Sequence, residues 1–266
     1  VDTDGRSVTI AEFIHIYLHQ THDHESLKRV LVSRDLGDAW RIYLEKMLEK
    51  AGPKPGPGGW KGYRTFVVDR KEPESETITS FYLAPEDGGP LPPFKPGQFL
   101  TFRLDIPGQS NPVTRTYTIS DRPNDVYYRV SIKRETPPGL SSNYFHDHVQ
   151  PGAKLCVKSP RGDFWLDPDD DTPVVLVSAG VGLTPMISML NGIIASGSGR
   201  QVWFIHGARG GRQHAMGEHM RRLAAEHDNV HLHVRYSRPA PGDIEGKNHD
   251  GIGHASSRRA RSGRVT

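Results

Sequence analysis

At Pro173 the arrangement of apolar residues along this 266-residue chain changes. Before Pro173, apolar residues alternate with polar ones in short segments, as in residues 126–133, and prolines and glycines separate the segments. Such alternation is the pattern of half-buried strands. After Pro173, residues 174–177 form a continuous apolar run, which is expected of a parallel strand covered on both faces. We therefore expect an antiparallel region followed by a parallel one.

The region before Pro173 is expected to form a small antiparallel barrel. It carries six candidate strands and one candidate helix at residues 142–149, with proline- and glycine-rich turns between them. Many short strands with such turns are typical of a closed β-sheet. We assign residues 60–170 to this barrel domain. The candidate strands are residues 66–68, 77–83, 99–104, 114–120, 126–133 and 155–157.

The region after Pro173 alternates strands and helices. After the apolar run, a helix, a strand, a helix and a strand are predicted at residues 186–194, 202–205, 216–226 and 230–234. This βαβαβ order implies a parallel sheet, so residues 171–250 are assigned to an α/β nucleotide lobe. Residues 251–266 are basic and lack an apolar period. We expect them to be an aberrant or disordered tail, and the lobe to be incomplete at its C-terminal end.

Residues 1–52 are expected to form a small helical bundle. Thr9 and Glu12 stand in a capping-box pattern, and apolar residues then recur at the spacing of one helix face. Two further helical segments follow, and residues 53–59 form a Pro/Gly linker. The predicted fold class is therefore α+β and multidomain: a three-helix segment, a six-stranded antiparallel β-barrel and a parallel α/β lobe.

Composition excludes several kinds of protein. The net charge is +3 with both signs mixed, which argues against nucleic-acid binding, because such binders cluster basic residues on one face. No apolar run reaches the ~18 residues that span a membrane. The single cysteine, Cys156, excludes an internal disulfide and a cysteine-ligated iron–sulfur site within this chain. A cytoplasmic location is the default expectation.

Four histidines near the N-terminus raise the question of a metal site. His15 and His19 are one helical turn apart, and His22 and His24 follow in a predicted turn. Zinc requires three or four ligands around one point. A polar helix edge explains this spacing better, so no metal site is predicted.

A Gly-rich turn directly follows the apolar strand. Gly180 and Gly182 permit a tight turn and close approach of a ligand, Thr184 can cap the following helix, and Pro185 suits its first turn. The free amides and positive dipole end of that helix would favour a pyrophosphate. The dinucleotide fingerprint is absent, because Pro185 occupies the place of its third glycine. A tight turn without a ligand is the alternative.

Two weaker motifs lie in the barrel. Arg115 and Tyr117 share one face of a predicted strand, where an arginine can bind phosphate and a tyrosine can stack on a flat ring. An exposed strand with ordinary cross-strand pairs is the alternative. Gly139, Ser141 and Ser142 stand at the start of the barrel's helix and offer amides and hydroxyls to a phosphate. Simple N-capping by serine is the alternative there.

The order of these three motifs resembles the ferredoxin–NADP reductase superfamily, most closely the reductase part of flavohaemoglobins. That family carries an Arg-x-Tyr-Ser/Thr flavin motif, then a Gly-x-x-Ser phosphate loop, then a Gly-x-Gly-x-Thr-Pro nucleotide loop. The similarity runs from about Trp60 to about Pro239. It includes residues 96–99, 130–135, 160–164 and 236–239.

The resemblance implies an NAD(P)H-dependent flavin oxidoreductase that uses NADH or NADPH together with FAD, which is favoured over FMN. Arg115 would bind flavin phosphate. Tyr117 and Thr118 would act at the reacting ring, by stacking and by a hydrogen bond near its reactive nitrogen. Phe99 stands where flavohaemoglobins have a flavin-contacting tyrosine. The implied cofactor-binding residues are Phe99, Arg115, Thr116, Tyr117, Thr118, Gly139, Leu140, Ser141, Ser142, Gly180, Val181, Gly182, Leu183, Thr184 and Pro185.

The sequence also departs from the family. It lacks the Cys-Gly-Pro segment of a final strand and the four cysteines of the ferredoxin domain that some relatives carry. Residues 8–41 resemble the three-helix segment that follows MOSC domains, which are associated with molybdenum cofactor. The resemblance therefore implies a redox partner protein, or a fused iron–sulfur or MOSC domain. Neither nucleic acid nor a membrane is expected as a partner.

Two functions remain open. One is an enzyme that passes electrons from NAD(P)H through FAD to a redox partner or dioxygen. The other is a non-catalytic flavin-binding or docking module whose nucleotide lobe is too incomplete for turnover. Arg209 and Arg212 follow a strand of the lobe and would favour NADPH if they met its 2′-phosphate. A solvated loop is the alternative for both arginines.

Overall fold

The computed structural model describes residues 59–253. These residues belong to one compact unit. The predicted three-helix segment, the four histidines considered for a metal site, and residues 254–266 of the predicted tail lie outside the described part of the chain.

The described residues form nine strands and three helices, and nearly all of them lie where the apolar patterns predict. The strands are β1 (Arg64–Pro73), β2 (Ile78–Pro85), β3 (Phe99–Leu104), β4 (Val113–Thr118), β5 (Tyr128–Lys133), β6 (Lys154–Arg161), β7 (Val174–Ala179), β8 (Val202–Ala208) and β9 (Val230–Tyr236). The helices are α1 (Leu140–His148), α2 (Leu183–Ser196) and α3 (Gly217–Glu226).

The first six strands form the predicted antiparallel barrel. Their order in the sheet is β4-β3-β6-β1-β2-β5. The two outer strands then meet through a bridge between Ile119 and Val130 and a 2.8 Å hydrogen bond from the amide of Ser120 to the carbonyl of Arg129. Because the sheet closes on itself, few backbone N–H and C=O groups at strand edges are left unpaired. The interior is filled by apolar side chains, including Phe81 and Phe102, which are fully buried.

One strand of the barrel begins later than the alternating pattern predicts. Val126 is exposed, and β5 starts at Tyr128. The side-chain oxygen of Asn124 accepts hydrogen bonds from the amides of Val126 and Tyr127, at 3.0 and 2.9 Å. An asparagine that binds the backbone two residues ahead forms a turn. This turn therefore ends the pairing that alternation alone would extend.

The last three strands form a parallel sheet in the order β7-β8-β9. Alternate strand residues such as Leu176 and Phe204 pack with residues of α2 and α3 in one buried cluster. On the other face, Val175 is 57%, Val177 is 51% and Trp203 is 41% exposed. The prediction that both faces of β7 are covered is therefore wrong within the described residues. Both helices lie against the same face, and apolar strand composition does not reveal which face they cover.

The chain after β9 folds back onto the sheet. The amide of Tyr236 donates to the carbonyl of Gly251 at 3.1 Å, and the amide of Gly253 donates to the carbonyl of Tyr236 at 2.9 Å. Ile252 thereby forms a parallel bridge with Tyr236. The first three residues of the predicted tail thus extend the sheet rather than leaving it. Within residues 59–253, no helix has the length and apolar character needed to cross a membrane.

Candidate functional site

Folding brings the two barrel motifs into contact. The Tyr117 hydroxyl, on β4, donates to the Ser141 hydroxyl, in the first turn of α1, at 3.3 Å. The Tyr117 ring packs edge-on against Phe102 and Phe145, with ring centroids 5.7 and 5.2 Å apart. Burial raises the pKa of Tyr117, so its hydroxyl stays protonated and acts as a donor. The strand motif and the helix motif are therefore parts of one site.

The other motif residues of β4 are more open. Arg115 is exposed, and its guanidinium donates to the neighbouring carbonyl of Thr114 at 2.8 Å. Thr116 is also exposed, whereas Thr118 is half-buried and lies opposite Phe99 of β3 in the strand register. A cation at the exposed start of the motif and a half-buried ring near its end suit a ligand that is anionic at one end and flat at the other.

The N-terminus of α1 carries no side-chain cap. The alternative of simple capping by Ser141 or Ser142 is therefore not observed. Gly139 occupies the capping position, where an added Cβ would lie 2.5 Å from the Ser142 hydroxyl oxygen, so a larger residue does not fit without a shift. The side-chain oxygen of Asn143 accepts from the Gly139 amide at 3.1 Å and holds the loop in place. The amides at this helix end can receive a phosphate.

The nucleotide loop has a comparable form. Gly180 has a φ of +51°, a conformation that favours glycine. A Cβ placed on Gly180 or Gly182 would meet no atom within 4 Å, so the turn faces open space. The prediction that Thr184 caps α2 is wrong: its hydroxyl donates to the carbonyl of Val181 at 3.2 Å, and no side chain caps the helix. Pro185 stands in the first turn, as predicted, and Leu183 begins the helix.

A cavity of about 520 Å³ opens at the carboxyl ends of the three parallel strands. It is lined by Ala179 at the end of β7, by Gly180 directly after it, by Arg209 after β8 and by Arg238 after β9. Lys133, at the end of the barrel strand β5, lines it from the other side. Open α/β sheets bind ligands at this edge, and the three cations suit an anionic ligand.

The two arginines considered for coenzyme choice have different surroundings. Arg209 lines the cavity, whereas Arg212 forms an ion pair with Glu76 in the turn between β1 and β2. Sequence reasoning assigned no role to Lys133, Ser237 or Arg238, although all three line the cavity. For Ser237 and Arg238 the available signal was their position just past β9, because residues beyond the carboxyl ends of parallel strands contact ligands in this kind of fold. Lys133 ends an antiparallel strand, so this signal does not apply to it.

The donor groups present fit a flavin and a pyridine nucleotide. A flavin nucleotide needs a flat apolar surface, a cation and free amides, which Tyr117, Arg115 and the start of α1 offer. A pyridine nucleotide needs amides and cations around a pyrophosphate, which the open loop at Gly180 and the cavity offer. Within residues 59–253, no group of three or more His, Cys, Asp or Glu side chains is arranged to hold a metal ion.

Three family models match the chain. Residues 66–165 match the oxidoreductase FAD-binding domain, and residues 176–250 match the oxidoreductase NAD-binding domain. Residues 8–51 match the YiiM-like 3-alpha helix domain. The first two models coincide with the barrel and with the nucleotide lobe, and so with the two halves of the candidate site.

Known proteins carry the same arrangement. A flavohemoprotein from Halalkalibacterium halodurans is 44% identical over 227 residues, which cover 79% of this chain and 55% of that protein. The chain thus spans about half the length of the curated relatives it matches. The flavohem-like FAD/NAD-binding domain of nitric oxide dioxygenase from Vibrio cholerae superimposes with a TM-score of 0.67 and 31% identity. That alignment covers 76% of this chain and 82% of the Vibrio domain.

Phthalate dioxygenase reductase, whose structure is described as modular for electron transfer from pyridine nucleotides to [2Fe-2S], is 28% identical with a TM-score of 0.57. It covers 69% of this chain, and the chain covers 55% of that protein. The motif order, the closed barrel, the parallel lobe and these relatives agree. The chain therefore belongs to the ferredoxin–NADP reductase superfamily, as a flavohaemoglobin-type oxidoreductase module for FAD and NAD(P)H.

Proposed function

We propose that this module passes electrons from NAD(P)H through FAD to a redox partner or to dioxygen. The observation that carries the proposal is the direct contact between Tyr117 and Ser141. This contact joins the two barrel motifs into one candidate flavin site. The loop at Gly180 forms a second candidate site, so a flavin and a nucleotide each have a set of suitable donors. When bound, FAD supplies the hydride acceptance and onward electron release, and the protein supplies binding and orientation.

We infer the flavin-binding roles from this arrangement. Arg115 binds flavin phosphate, and the loop made of Gly139, Leu140, Ser141 and Ser142 holds the pyrophosphate. Tyr117 stacks on the flavin ring and Thr118 hydrogen-bonds near its reactive nitrogen, while Thr116 and Phe99 complete the contact surface. The exposure of Arg115 and the uncapped start of α1 support these roles. The ring packing behind Tyr117 would hold the flavin in one orientation.

We infer that residues 180–185 hold the pyrophosphate of NAD(P)H at the start of α2. The open loop and the absence of a side-chain cap support this role. Arg209 and Arg238 lie at the carboxyl ends of neighbouring parallel strands, where a 2′-phosphate would be recognised. Both arginines favour NADPH, whereas Arg212 pairs with Glu76 and does not line the cavity.

The module is proposed to work within a larger protein. Its relatives are named flavohemoproteins, and the chain covers about half of their length, so a heme-bearing partner is one candidate acceptor. An iron–sulfur acceptor must come from outside, because this chain has one cysteine and plant-type clusters need four. The YiiM-like match at residues 8–51 is the support for a MOSC neighbour. A cytoplasmic location and domain boundaries at residues 60–170 and 171–250 also remain proposals.

The visible absorption spectrum tests this function. The purified chain is saturated with FAD, and NADH or NADPH is then added without oxygen. We expect bound flavin to lose its absorbance near the visible maximum within seconds, and to do so faster with NADPH. A colourless protein that takes up neither FAD nor FMN would contradict the proposal, and so would bound flavin that neither nucleotide reduces.

A second candidate is a flavin-binding or docking module with little nucleotide turnover. The observation that favours it is the exposed apolar face of the nucleotide lobe, formed by Val175, Val177 and Trp203. Parallel sheets normally have both faces covered, so a face left exposed within the described residues departs from the arrangement expected of a complete lobe. The same absorption experiment separates the two functions, because this candidate predicts flavin uptake without reduction.

A further inference from the structure

A buried polar contact joins the barrel to α2. The carboxylate of Asp121, in the loop after β4, accepts from the side-chain amide of Asn191 at 2.9 Å and from the Tyr127 hydroxyl at 2.9 Å. The backbone carbonyl of Asp121 accepts from the Ser188 hydroxyl at 2.7 Å. Ser188 is fully buried, and Asn191 and Asp121 are less than a tenth exposed. A buried hydrogen bond fixes direction as well as distance, since a misplaced partner leaves a buried group unsatisfied.

A series of hydrogen bonds extends this contact into α3, and each group in the series donates to the next. The Nη2 of Arg222 donates to Nδ1 of His219 at 3.0 Å, and Nε2 of His219 donates to the side-chain oxygen of Asn191 at 2.9 Å. Asn191 then donates through its amide nitrogen to Asp121. Every group in this series has the right role only when His219 is neutral with its proton on Nε2. The series therefore orients Asn191 so that its amide faces the carboxylate.

The two ends of this contact lie on the elements that carry the two cofactor motifs. Asp121 follows the flavin motif residue Thr118 by three positions. Ser188 and Asn191 stand on α2, which begins directly after the nucleotide loop Gly180–Gly182. A strand and a helix move as stiff elements, so fixing Asp121 against α2 also fixes the flavin strand against the nucleotide loop.

We propose that Asp121 and Asn191, supported by Ser188 and His219, are positioning residues that set the approach of the nicotinamide to the flavin. This inference rests on the proposed function. Hydride transfer requires reacting atoms about 3–3.5 Å apart, and a misplacement of about 1 Å can cost a hundredfold in rate. The apolar contacts between the lobes, such as that of Ile78 with the nucleotide-lobe core, are non-directional. The side-chain contacts of Glu76 with Arg212 and Gln213 are exposed, and exposed pairs hold their partners weakly.

The variant Asn191→Asp tests the proposal, because it places a second carboxylate against Asp121. We expect the limiting rate of flavin reduction by NAD(P)H, measured by stopped flow, to fall by about tenfold or more. Flavin affinity and the dissociation constant for the nucleotide should change less than about twofold, since neither binding loop is altered. The long-wavelength charge-transfer absorbance of the nicotinamide–flavin pair should weaken in parallel.

Ser196→Ala is the matched control on the same helix, because it removes hydrogen bonds to the carbonyls of Ile193 and Pro168 instead. A rate for Asn191→Asp equal to that of Ser196→Ala, with flavin still bound, would overturn the proposal.

A distance measurement keeps this inference separate from the proposed function. Spin labels at Lys61 on the barrel and Asp228 on the lobe, both exposed, are introduced into a Cys156→Ser background. Asn191→Asp should shift or broaden the distance distribution, and Ser196→Ala should not. If the wild-type flavin is not reduced by either nucleotide, the proposed function fails. The distance distribution then still decides whether Asp121 and Asn191 position the lobe, and an unchanged distribution rejects it.

Discussion

The barrel and the nucleotide lobe bury their interiors in different ways. The barrel is a closed sheet whose buried cluster is built from apolar and aromatic residues. Among residues 59–253, the lobe is an open sheet covered on one face, and its interior includes His206 and His214, whose ring centroids are 5.0 Å apart. Burial lowers the pKa of His206 to about 4, and burial together with neighbouring His206 lowers that of His214 to about 3.

The two halves of the site are therefore stabilised by different interactions. The barrel's interior is held by apolar burial, which is insensitive to pH, and its one histidine with a pKa lowered by burial within the described residues, His146, lies on α1 outside that interior. The lobe depends on two histidines remaining neutral, and within the described residues their Nε2 atoms are buried without a hydrogen-bond partner. We therefore expect flavin binding to survive conditions that disable nucleotide binding. The following predictions test that expectation.

The largest effect is expected from Phe102→Ala in the barrel. Phe102 is fully buried and packs edge-on against Tyr117 and Phe145. Its loss should lower the free energy of unfolding by about 3–5 kcal/mol and abolish flavin binding, because the support behind Tyr117 is removed. Chemical denaturation and flavin titration measure the two effects.

Phe204→Ala is the matched substitution in the lobe, because Phe204 is also fully buried. It should weaken the lobe by a similar free energy and leave flavin affinity nearly unchanged. Loss of flavin binding in this variant too would mean that barrel and lobe unfold as one unit, and the comparison above would be wrong.

A fall in pH should destabilise the lobe selectively. The ordinary pKa of histidine is 6.5 and the folded values are about 4 and about 3, so between these limits the unfolded chain binds more protons. Stability is therefore full above pH 6.5 and declines as pH falls toward the folded values. The two histidines together should cost about 2–3 kcal/mol for each pH unit between pH 6 and pH 4, and less below pH 4, where His206 also takes up a proton in the folded lobe.

Denaturation at a series of pH values, read by tryptophan fluorescence and by flavin retention, checks this dependence. His206→Gln should flatten it. His231→Gln, at an exposed position of the same sheet, should leave it unchanged. A wild-type stability that is constant from pH 7 to pH 5 would show that the two rings do not remain neutral in the folded lobe.

A smaller effect is expected from Tyr117→Ala, which should weaken flavin binding by about 1–3 kcal/mol, by analogy with the loss of aromatic stacking on a base. Tyr117→Phe is the control: it keeps the ring and removes only the hydrogen bond to Ser141. Titration of the flavin-free protein measures both. Equal affinities for the Ala and Phe variants would mean that the hydroxyl, rather than the ring, contacts the flavin.

The smallest effect is expected from Val177→Ser on the bare face of the lobe. This side chain is half exposed, so its replacement should change stability by no more than about 0.5 kcal/mol. Leu176→Ser, the next residue but on the buried face, should cost several times more, about 2–5 kcal/mol. Similar losses from both variants in thermal unfolding would indicate that the Val177 face is covered in solution.

Much of this molecule follows from local sequence. Apolar alternation locates the barrel strands, because side chains of a strand point alternately to its two faces. The run at residues 174–177 and the glycines after it locate the nucleotide loop, since backbone turns depend on the residues that form them. The motif order, together with the family resemblance, was enough to identify both cofactors. The start of β5 was misplaced because the Asn124 side chain competes with strand pairing.

Other features depend on contacts between residues far apart in the chain. Asp121 and Asn191 are 70 positions apart, and Asn191 and His219 are 28 apart, so no local pattern links them. The uncapped start of α2 and the engagement of Arg212 by Glu76 likewise depend on the packed structure. Periodicity shows that β7 is apolar on both sides, but only the placement of α2 and α3 decides that Leu176 is buried and Val177 is exposed. Burial is a property of the neighbours that a folded chain supplies, and a residue's own type does not specify them.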